Sequence, residues 1–186
     1  MTERQEHQGH QAGGEAVVDL GRLGEVSRYD LVDDGLRAEL DVIARRSAER
    51  LGQPLGLVSI VLDQAQVFAG QYGLDGWLLA TRGTPIEWSF CVNMITGEGP
   101  YLVSDATTDP RHADNPLVTV DGIRCYAGVP LRTRSGHVLG SHCVIGNSVH
   151  EFTAADVAVL ESGATDTLTV LQRHRRRPDL ATAVGR

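Results

Sequence analysis

Three cysteines carry the most reactive side chains in this sequence. Cys91, Cys125 and Cys143 are far apart along the chain, and none belongs to a CxxC pair. An odd number of widely spaced cysteines favours reduced thiols over a disulfide framework and predicts a cytoplasmic protein. A redox-active thiol needs a nearby positive charge or a second thiol. All three stay redox candidates, although we expect Cys125 and Cys143 to fill core space and Cys91 to be more exposed.

His142 interrupts the apolar run of the predicted strand 137–145. Imidazole can ligate haem iron or hydrogen-bond a bound ligand, but it also serves as a buried structural group, and the sequence leaves these roles open. The chain has no CxxC, HxxxH or clustered-carboxylate spacing, so it predicts no metal site. No combination of nucleophile and base stands out either, and we predict that the chain is not an enzyme.

The segment DPRHADNPLV (109–118) is dense in Asp, Asn and Pro, which predicts a loop or a broken helix. Asp105, Asp109 and Asn115 can cap the turns of such a loop, while the prolines fix its geometry. The same side chains could instead form a lid over a binding pocket. The sequence leaves both roles open and favours the structural one.

Length and charge limit the classes of protein that fit. The chain has 186 residues, 41% of them hydrophobic, which suffices for one domain with tails. Its net charge of −7 argues against a nucleic-acid partner, which needs a basic surface. We expect no membrane span and no signal peptide, because the apolar runs are short and the N-terminus is polar. The predicted segments are a disordered tail (1–16), a lead-in segment (17–33), the folded domain (34–175) and a flexible C-terminal tail (176–186).

Hydrophobic periodicity predicts the elements that must position these residues. A helical repeat begins at Asp34 and stops before Gly52, and a second begins after Thr153, with Asp156 placed to complete a capping box. Between the two helices the period changes to that of strands, and Gly136 suits a tight turn. This order predicts an α+β domain with an antiparallel sheet. The predicted strands are 54–62, 66–74, 101–106, 123–133 and 137–145, with a helical turn within 75–88.

Four linked segments match the order and spacing of one known family. They are SFC (89–91), YLVSDATTDPRHADNPLV (101–118), GIRCYAGVPLRT (122–133) and GHVLGSHCVIG (136–146). Together they resemble the GAF domain, in particular a bacterial stand-alone subgroup, and the resemblance covers residues 34–172. It implies a GAF/PAS-like antiparallel sheet, with the terminal helices packed on one face and loops and short helices over a pocket on the other.

The resemblance also implies where a ligand would lie and what it could be. The family binds cyclic nucleotides, haem, bilins, small metabolites or nothing, so the cofactor stays unknown, with haem and a cyclic nucleotide left open. The chain departs from the usual pattern at Cys125, where Phe is common, and at Ser141 and His142, where Thr-Leu is common. The candidates for the pocket are Phe90, Cys91, Asp105, Asp109, Asn115, Tyr126 and His142.

From these observations we expect a cytoplasmic, non-enzymatic regulatory module that stands alone or acts on another chain. It would bind a small ligand and relay its occupancy through the terminal helices to a signalling protein or to a second copy in a homodimer. A degenerate GAF domain that serves only as an interaction or dimerisation scaffold is the main alternative. A thiol-based redox sensor or methionine sulfoxide reductase is a third. Nucleic acid and membrane are not expected among its partners.

Overall fold

The computed structural model of this chain describes residues 16–176, and the predicted tails lie almost wholly outside that range. Two long helices and a sheet dominate the described part, with shorter elements between the strands. The helices are α1 (Leu20–Val26), α2 (Asp34–Arg50), α3 (Gly76–Thr81), α4 (Asn93–Thr96), α5 (Pro116–Thr119) and α6 (Ala154–Arg173). The strands are β1 (Leu55–Val61), β2 (Ala65–Tyr72), β3 (Gly83–Pro85), β4 (Tyr101–Val103), β5 (Cys125–Arg132) and β6 (Val138–Gly146).

The six strands form one antiparallel sheet in the order β3-β2-β1-β6-β5-β4. Strands that are neighbours in sequence pair as hairpins at both ends of the sheet, and β1 and β6 meet at its centre. The turn between β5 and β6 contains Gly136 at a φ of 88°, a left-handed conformation that glycine adopts without strain. The predicted α+β architecture with an antiparallel sheet is confirmed.

The two long helices cover one side of the sheet, which we call the helix side. Asp33 caps the first turn of α2 with its side chain, and Thr153 and Asp156 form the predicted capping box of α6. Each helix packs an apolar stripe on the sheet, in which Leu40 of α2 and Leu160 of α6 are fully buried. These contacts build the larger of the two hydrophobic clusters.

The opposite side of the sheet, which we call the loop side, is covered by the turns and short helices within residues 73–124. Because side chains alternate along a strand, Val58 belongs to the helix side and its neighbour Leu57 to the loop side. On β5, Cys125 has the parity of Ala127, which faces the helices, whereas Tyr126 faces the loop side. The four longer strands, β1, β2, β5 and β6, therefore supply residues to both clusters.

The lead-in segment before α2 packs against the sheet and the end of α6. Val17 joins the loop-side cluster, and Arg22 Nη1 donates to the backbone oxygen of Val61 at 2.6 Å. Tyr29 forms a β-bridge with Arg175 just after α6. The lead-in thus brings the first and last described segments together.

Three short elements, α1, β3 and α4, do not appear among the sequence-based predictions. They have seven, three and four residues, too few to show a clear period. The chain over 101–106 forms a shorter strand than expected, and 109–118 contains the one-turn helix α5. Among the helices of residues 16–176, none has both the length and the apolar character that crossing a bilayer requires.

Candidate functional site

A small enclosed cavity lies between the sheet and the loop-side segments, where the resemblance implies a ligand pocket. Its volume is about 20 Å³, room for about one water molecule. Three predicted pocket residues, Phe90, Cys91 and Tyr126, line it. Bulky apolar neighbours fill the space that a metabolite would need. They and one glutamine complete the lining: Leu55, Leu57, Gln66, Phe68, Leu74, Leu78, Leu117, Ile123 and Ile145.

A column of aromatic rings adjoins this cavity at Phe90 and Tyr126. The Phe90 ring centre lies 5.3 Å from that of Tyr126 and 3.9 Å from the imidazole of His112, with the rings nearly parallel. The Tyr101 hydroxyl and His112 Nε2 share a hydrogen bond of 2.8 Å, and the Arg111 guanidinium lies 5.0 Å from the centre of the Tyr101 ring. Burial lowers the pKa of His112 and raises the pKa of Tyr101 to about 12, so both are neutral near pH 7.

Behind the cavity, Gln66 joins a set of buried polar side chains that bond to one another. Gln66 Nε2 donates to Thr84 Oγ1 at 2.7 Å, and Gln66 Oε1 accepts from Ser59 Oγ at 2.9 Å and from Ser89 Oγ at 2.7 Å. Within residues 16–176, none of these side-chain atoms is left without a partner. A buried network with every member bonded is rigid, and it holds the turn at Ser89 against the sheet.

Two of the three cysteines meet in this region. The Tyr126 hydroxyl donates to Cys91 Sγ at 3.4 Å and shares a 3.2 Å hydrogen bond with Ser141 Oγ. Interaction with the Cys143 thiol, helped by Ser141, Tyr126 and Ser59, lowers the pKa of Cys91, while its pairing with Cys91 and its burial raise the pKa of Cys143. Cys91 is 3% exposed and Cys143 0%. The expectation of a more exposed Cys91 is therefore wrong, because the 3₁₀ turn Phe90–Val92 packs Cys91 into the loop-side cluster.

The acidic residues of the signature loop lie outside the cavity lining. Asp105 Oδ1 accepts from the backbone nitrogen of Thr107 at 3.0 Å, and Asp109 forms a two-point contact with Arg111. These hydrogen bonds lower the pKa of both carboxyls. Asn115 caps α5 and donates to the backbone oxygen of Trp88 at 3.1 Å. The three side chains thus hold turns together, as their structural interpretation predicts.

His142 lies on the helix side, away from the pocket where it was expected. Its Nε2 shares a hydrogen bond of 2.8 Å with Ser47 Oγ of α2, and its Nδ1 bonds the backbone oxygen of Leu57 at 3.2 Å. Burial lowers the pKa of His142 to about 4. Gly163 of α6 leaves room for the ring, since a Cβ there would stand 2.4 Å from Nε2. His142 connects the sheet to α2. It faces the helix side because successive side chains of β6 point to opposite faces of the sheet.

Cys125 is fully buried at the start of β5, next to the Gln53 side chain. Its Sγ lies 3.7 Å from Gln53 Oε1, and burial raises the pKa of the thiol to about 11. Cys91 and Cys143 belong to the loop-side cluster, whereas Cys125 has the helix-side parity of β5. Cys125 therefore fills space, as expected from its apolar parity.

Several residues that shape the site escaped the sequence analysis. Ser59 and Gln66 lie in strands, and His112 lies in the signature loop. A polar side chain inside an apolar strand, such as Ser59 in GLVSIV, is the signal that could have revealed the network. Across residues 16–176, no three His, Cys, Asp or Glu side chains come close enough together to hold a metal ion.

The comparison with family models decides which family this fold represents. The model described as the GAF domain matches residues 39–167. The chain belongs to the GAF domain family. A cyclic di-GMP phosphodiesterase of Pseudomonas aeruginosa is 39% identical to this GAF domain over 142 residues, which is 75% of the chain and 23% of the phosphodiesterase. The chain thus spans under a quarter of the length of that relative.

Solved GAF-type structures share the fold at low sequence identity. The GAF domain of a phosphoenolpyruvate-protein phosphotransferase from Coxiella burnetii has a TM-score of 0.63 and 17% identity, over 85% of this chain and 95% of that structure. A type II free methionine-R-sulfoxide reductase from Thermoplasma acidophilum has a TM-score of 0.62 and 13% identity, over 79% and 99%. At such identities the similarity is one of architecture.

Proposed function

We propose that this GAF domain is a non-enzymatic regulatory module that works by contact with another protein, with no metabolite in its loop-side cavity. The observation that carries the proposal is the volume of that cavity, about 20 Å³. Small-molecule sites have volumes of roughly 300 Å³ or more. A cavity filled by the protein's own side chains favours the interaction module over the ligand sensor.

The relative in Pseudomonas suggests what such a module regulates. There the matching region is 23% of a cyclic di-GMP phosphodiesterase. We propose that this GAF domain likewise acts on an effector enzyme of signalling, whose catalytic residues lie outside the region described here. Replacing the matching region of that phosphodiesterase with this domain tests the idea. We expect a hydrolysis rate close to the parent rate, and a chimaera that folds but hydrolyses nothing would contradict it.

The outward side of α2 and α6 is suited to a polar and reversible contact. Arg46 pairs with Asp166 across the two helices, and Arg173 pairs with Glu39. Val42 is the large apolar side chain that α2 exposes. Permanent homodimers usually bury a more apolar surface. We therefore propose a transient partner protein and expect a monomer in sedimentation velocity at micromolar concentration; a stable dimer would contradict this choice.

Ligand screening tests the closed cavity directly. The purified chain would be mixed with cyclic nucleotides, haem and a metabolite library and measured by native mass spectrometry. We expect no stoichiometric adduct that depends on loop-side residues. An adduct that Tyr126→Phe or Phe90→Leu weakens, while Arg45→Gln on α2 leaves it unchanged, would overturn the proposal.

A thiol sensor is a second candidate, favoured by the approach of Cys91 to Cys143. Against it stands the burial of both thiols, because a reactive cysteine must reach solvent. We predict that iodoacetamide modifies none of the three cysteines in the folded protein at neutral pH and modifies all three in guanidinium chloride. Mass spectrometry of tryptic peptides measures each site. Rapid modification of Cys91 in the folded protein would favour the thiol sensor.

A further inference from the structure

A wide groove opens where the lead-in segment, the turn between β5 and β6 and the last turns of α6 meet. Its volume is about 620 Å³, within the range of small-molecule sites. It lies apart from the loop-side cavity and shares no lining residue with it. Five arginines and one carboxylate give the groove its charge: Arg28, Arg132, Arg134, Arg173, Arg175 and Glu25. We call it the arginine groove.

The charge of this groove opposes that of the whole chain. The protein carries a net charge of −7, yet the arginine groove has five cationic side chains against one anionic one. Glu25 is already shared, since it pairs with Arg28 at 3.0 Å and with Arg175 at 3.3 Å, and Arg173 pairs with Glu39 beside the groove. Local positive charge on an acidic protein attracts anions selectively to that place.

Two of the arginines are available for a ligand. Arg132 and Arg134 have no carboxylate partner within residues 16–176, and Arg132 Nη1 donates only to the backbone oxygen of Gly136, at 3.1 Å. Ser135 and Gln172 add neutral polar groups to the lining. Guanidinium groups with unused donors form two-point contacts with phosphate oxygens.

The opposite wall of the groove is held in place before any ligand arrives. The backbone of Arg175 is fixed by its β-bridge to Tyr29, and its side chain is fixed by Glu25. The Tyr29 hydroxyl donates to Glu25 Oε1 at 3.1 Å, which orients that carboxylate. A site with pre-positioned groups loses less entropy on binding.

We propose that the arginine groove binds a small molecule through a diphosphate or triphosphate group. A single carboxylate would satisfy one guanidinium, whereas a chain of phosphates carries several charges and can reach the arginines of both walls. The inorganic polyphosphates and the nucleoside polyphosphates share this chemistry. The site lies at the junction of the first and last described segments, so occupancy would stiffen the end of α6. This inference does not depend on the proposed function.

Calorimetric titration of the full chain with pyrophosphate, tripolyphosphate and ADP tests the proposal. The test variant is R132Q/R134Q, and the matched control is R45Q/R50Q, which removes the same charge from exposed positions of α2. We expect saturable binding of at least one probe, weakened at least about tenfold in the test variant, as the loss of charged hydrogen bonds predicts. The control should stay within about twofold of the unmodified chain. Both variants change exposed side chains, and thermal unfolding verifies their folding.

Each other outcome overturns the proposal or identifies the source of the phosphate. The absence of saturable binding for every probe overturns the proposal. Equal weakening of binding in both variants also overturns it, because the probe would then respond only to the total charge of the protein. Displacement of the probe by a glutamate-rich peptide of equal affinity would instead assign the groove to an acidic protein segment. ADP binding more tightly than pyrophosphate would favour a nucleotide, and the reverse would favour an inorganic ion. A failed titration leaves the regulatory role untouched, because the chimaera and the screen of the loop-side cavity test that role separately.

Discussion

The two sides of the sheet are covered by different kinds of element and filled by different kinds of side chain. Two long helices with regular apolar stripes cover the helix side, and its main polar point is the contact between His142 and Ser47. Short turns cover the loop side, where aromatic rings, thiols and a hydrogen-bonded network fill the space. Regular elements need only small and apolar partners, whereas irregular ones need large rings and specific hydrogen bonds to pack without voids.

The largest expected effect is the loss of the ring at the centre of the aromatic column. Phe90→Ala should lower the free energy of unfolding by about 3–5 kcal/mol, because short turns cannot close over the lost volume. Chemical denaturation measures the change. Leu40→Ala on the helix side is the matched variant and should cost about 2–5 kcal/mol.

Binding of a small apolar ligand gives a second test of the loop-side cavity. Phe90→Ala should enlarge the 20 Å³ cavity enough to admit benzene, raising the melting temperature when benzene is added. If Phe90→Ala lowers the free energy of unfolding by less than about 1 kcal/mol, the loop side rearranges to fill the lost volume as readily as a helix-covered core does.

Acid should weaken the helix side through His142. Its pKa is about 4 in the folded protein, below the ordinary value of 6.5, because burial disfavours the charged ring. As pH falls below 6.5, the unfolded chain binds a proton at this residue while the folded chain does not until about pH 4. The free energy of unfolding should therefore fall by about 3 kcal/mol between those values.

His142→Gln keeps a polar side chain without titration and should remove this part of the pH dependence. Denaturation series between pH 4 and 7 measure the slope. His112 on the loop side also has a lowered pKa, so a smaller slope of the same sign should persist. An unchanged slope in His142→Gln would contradict the assignment.

The space for the His142 ring gives a test of intermediate size. Gly163→Ala should destabilise the protein by about 1–3 kcal/mol through overpacking, since the new Cβ would meet His142 Nε2 at 2.4 Å. Alanine otherwise favours a helix over glycine by about 1 kcal/mol. Gly24→Ala in α1 is the control, because nothing lies within 4 Å of its new Cβ, and it should stabilise slightly. A neutral Gly163→Ala would show that the ring can shift.

The smallest contrast is between two buried serines, one on each side of the sheet. Ser47→Ala leaves His142 Nε2 without its partner and should cost about 1–3 kcal/mol. Ser141→Ala should cost about 1 kcal/mol or less, because the Tyr126 hydroxyl keeps its bond to Cys91 Sγ. Denaturant midpoints compare the two variants. Equal losses would mean that the loop-side network depends on Ser141 as strongly as His142 depends on Ser47.

Sequence patterns predicted the regular elements better than the site. The start of α2 at Asp34 and the capping box at Thr153 follow from local hydrogen bonds, which depend on neighbours in the chain. Phe90, Cys91 and Tyr126, which the resemblance offered as pocket candidates, line the loop-side cavity. His142 was misplaced, because one step along a strand moves a side chain to the other face. Asp105, Asp109 and Asn115 proved to hold turns.

By itself the sequence determined the main architecture of this GAF domain: its two long helices, the hairpins β1–β2 and β5–β6, and the apolar parity of Cys125. These follow from periodicity and from contacts between near neighbours. Only the tertiary structure decided that the cavity holds about 20 Å³, that Cys91 meets Cys143 and that five arginines converge on one groove. The physical reason is that volumes, thiol pairs and charge clusters depend on distances between residues far apart in the chain, which no local pattern encodes.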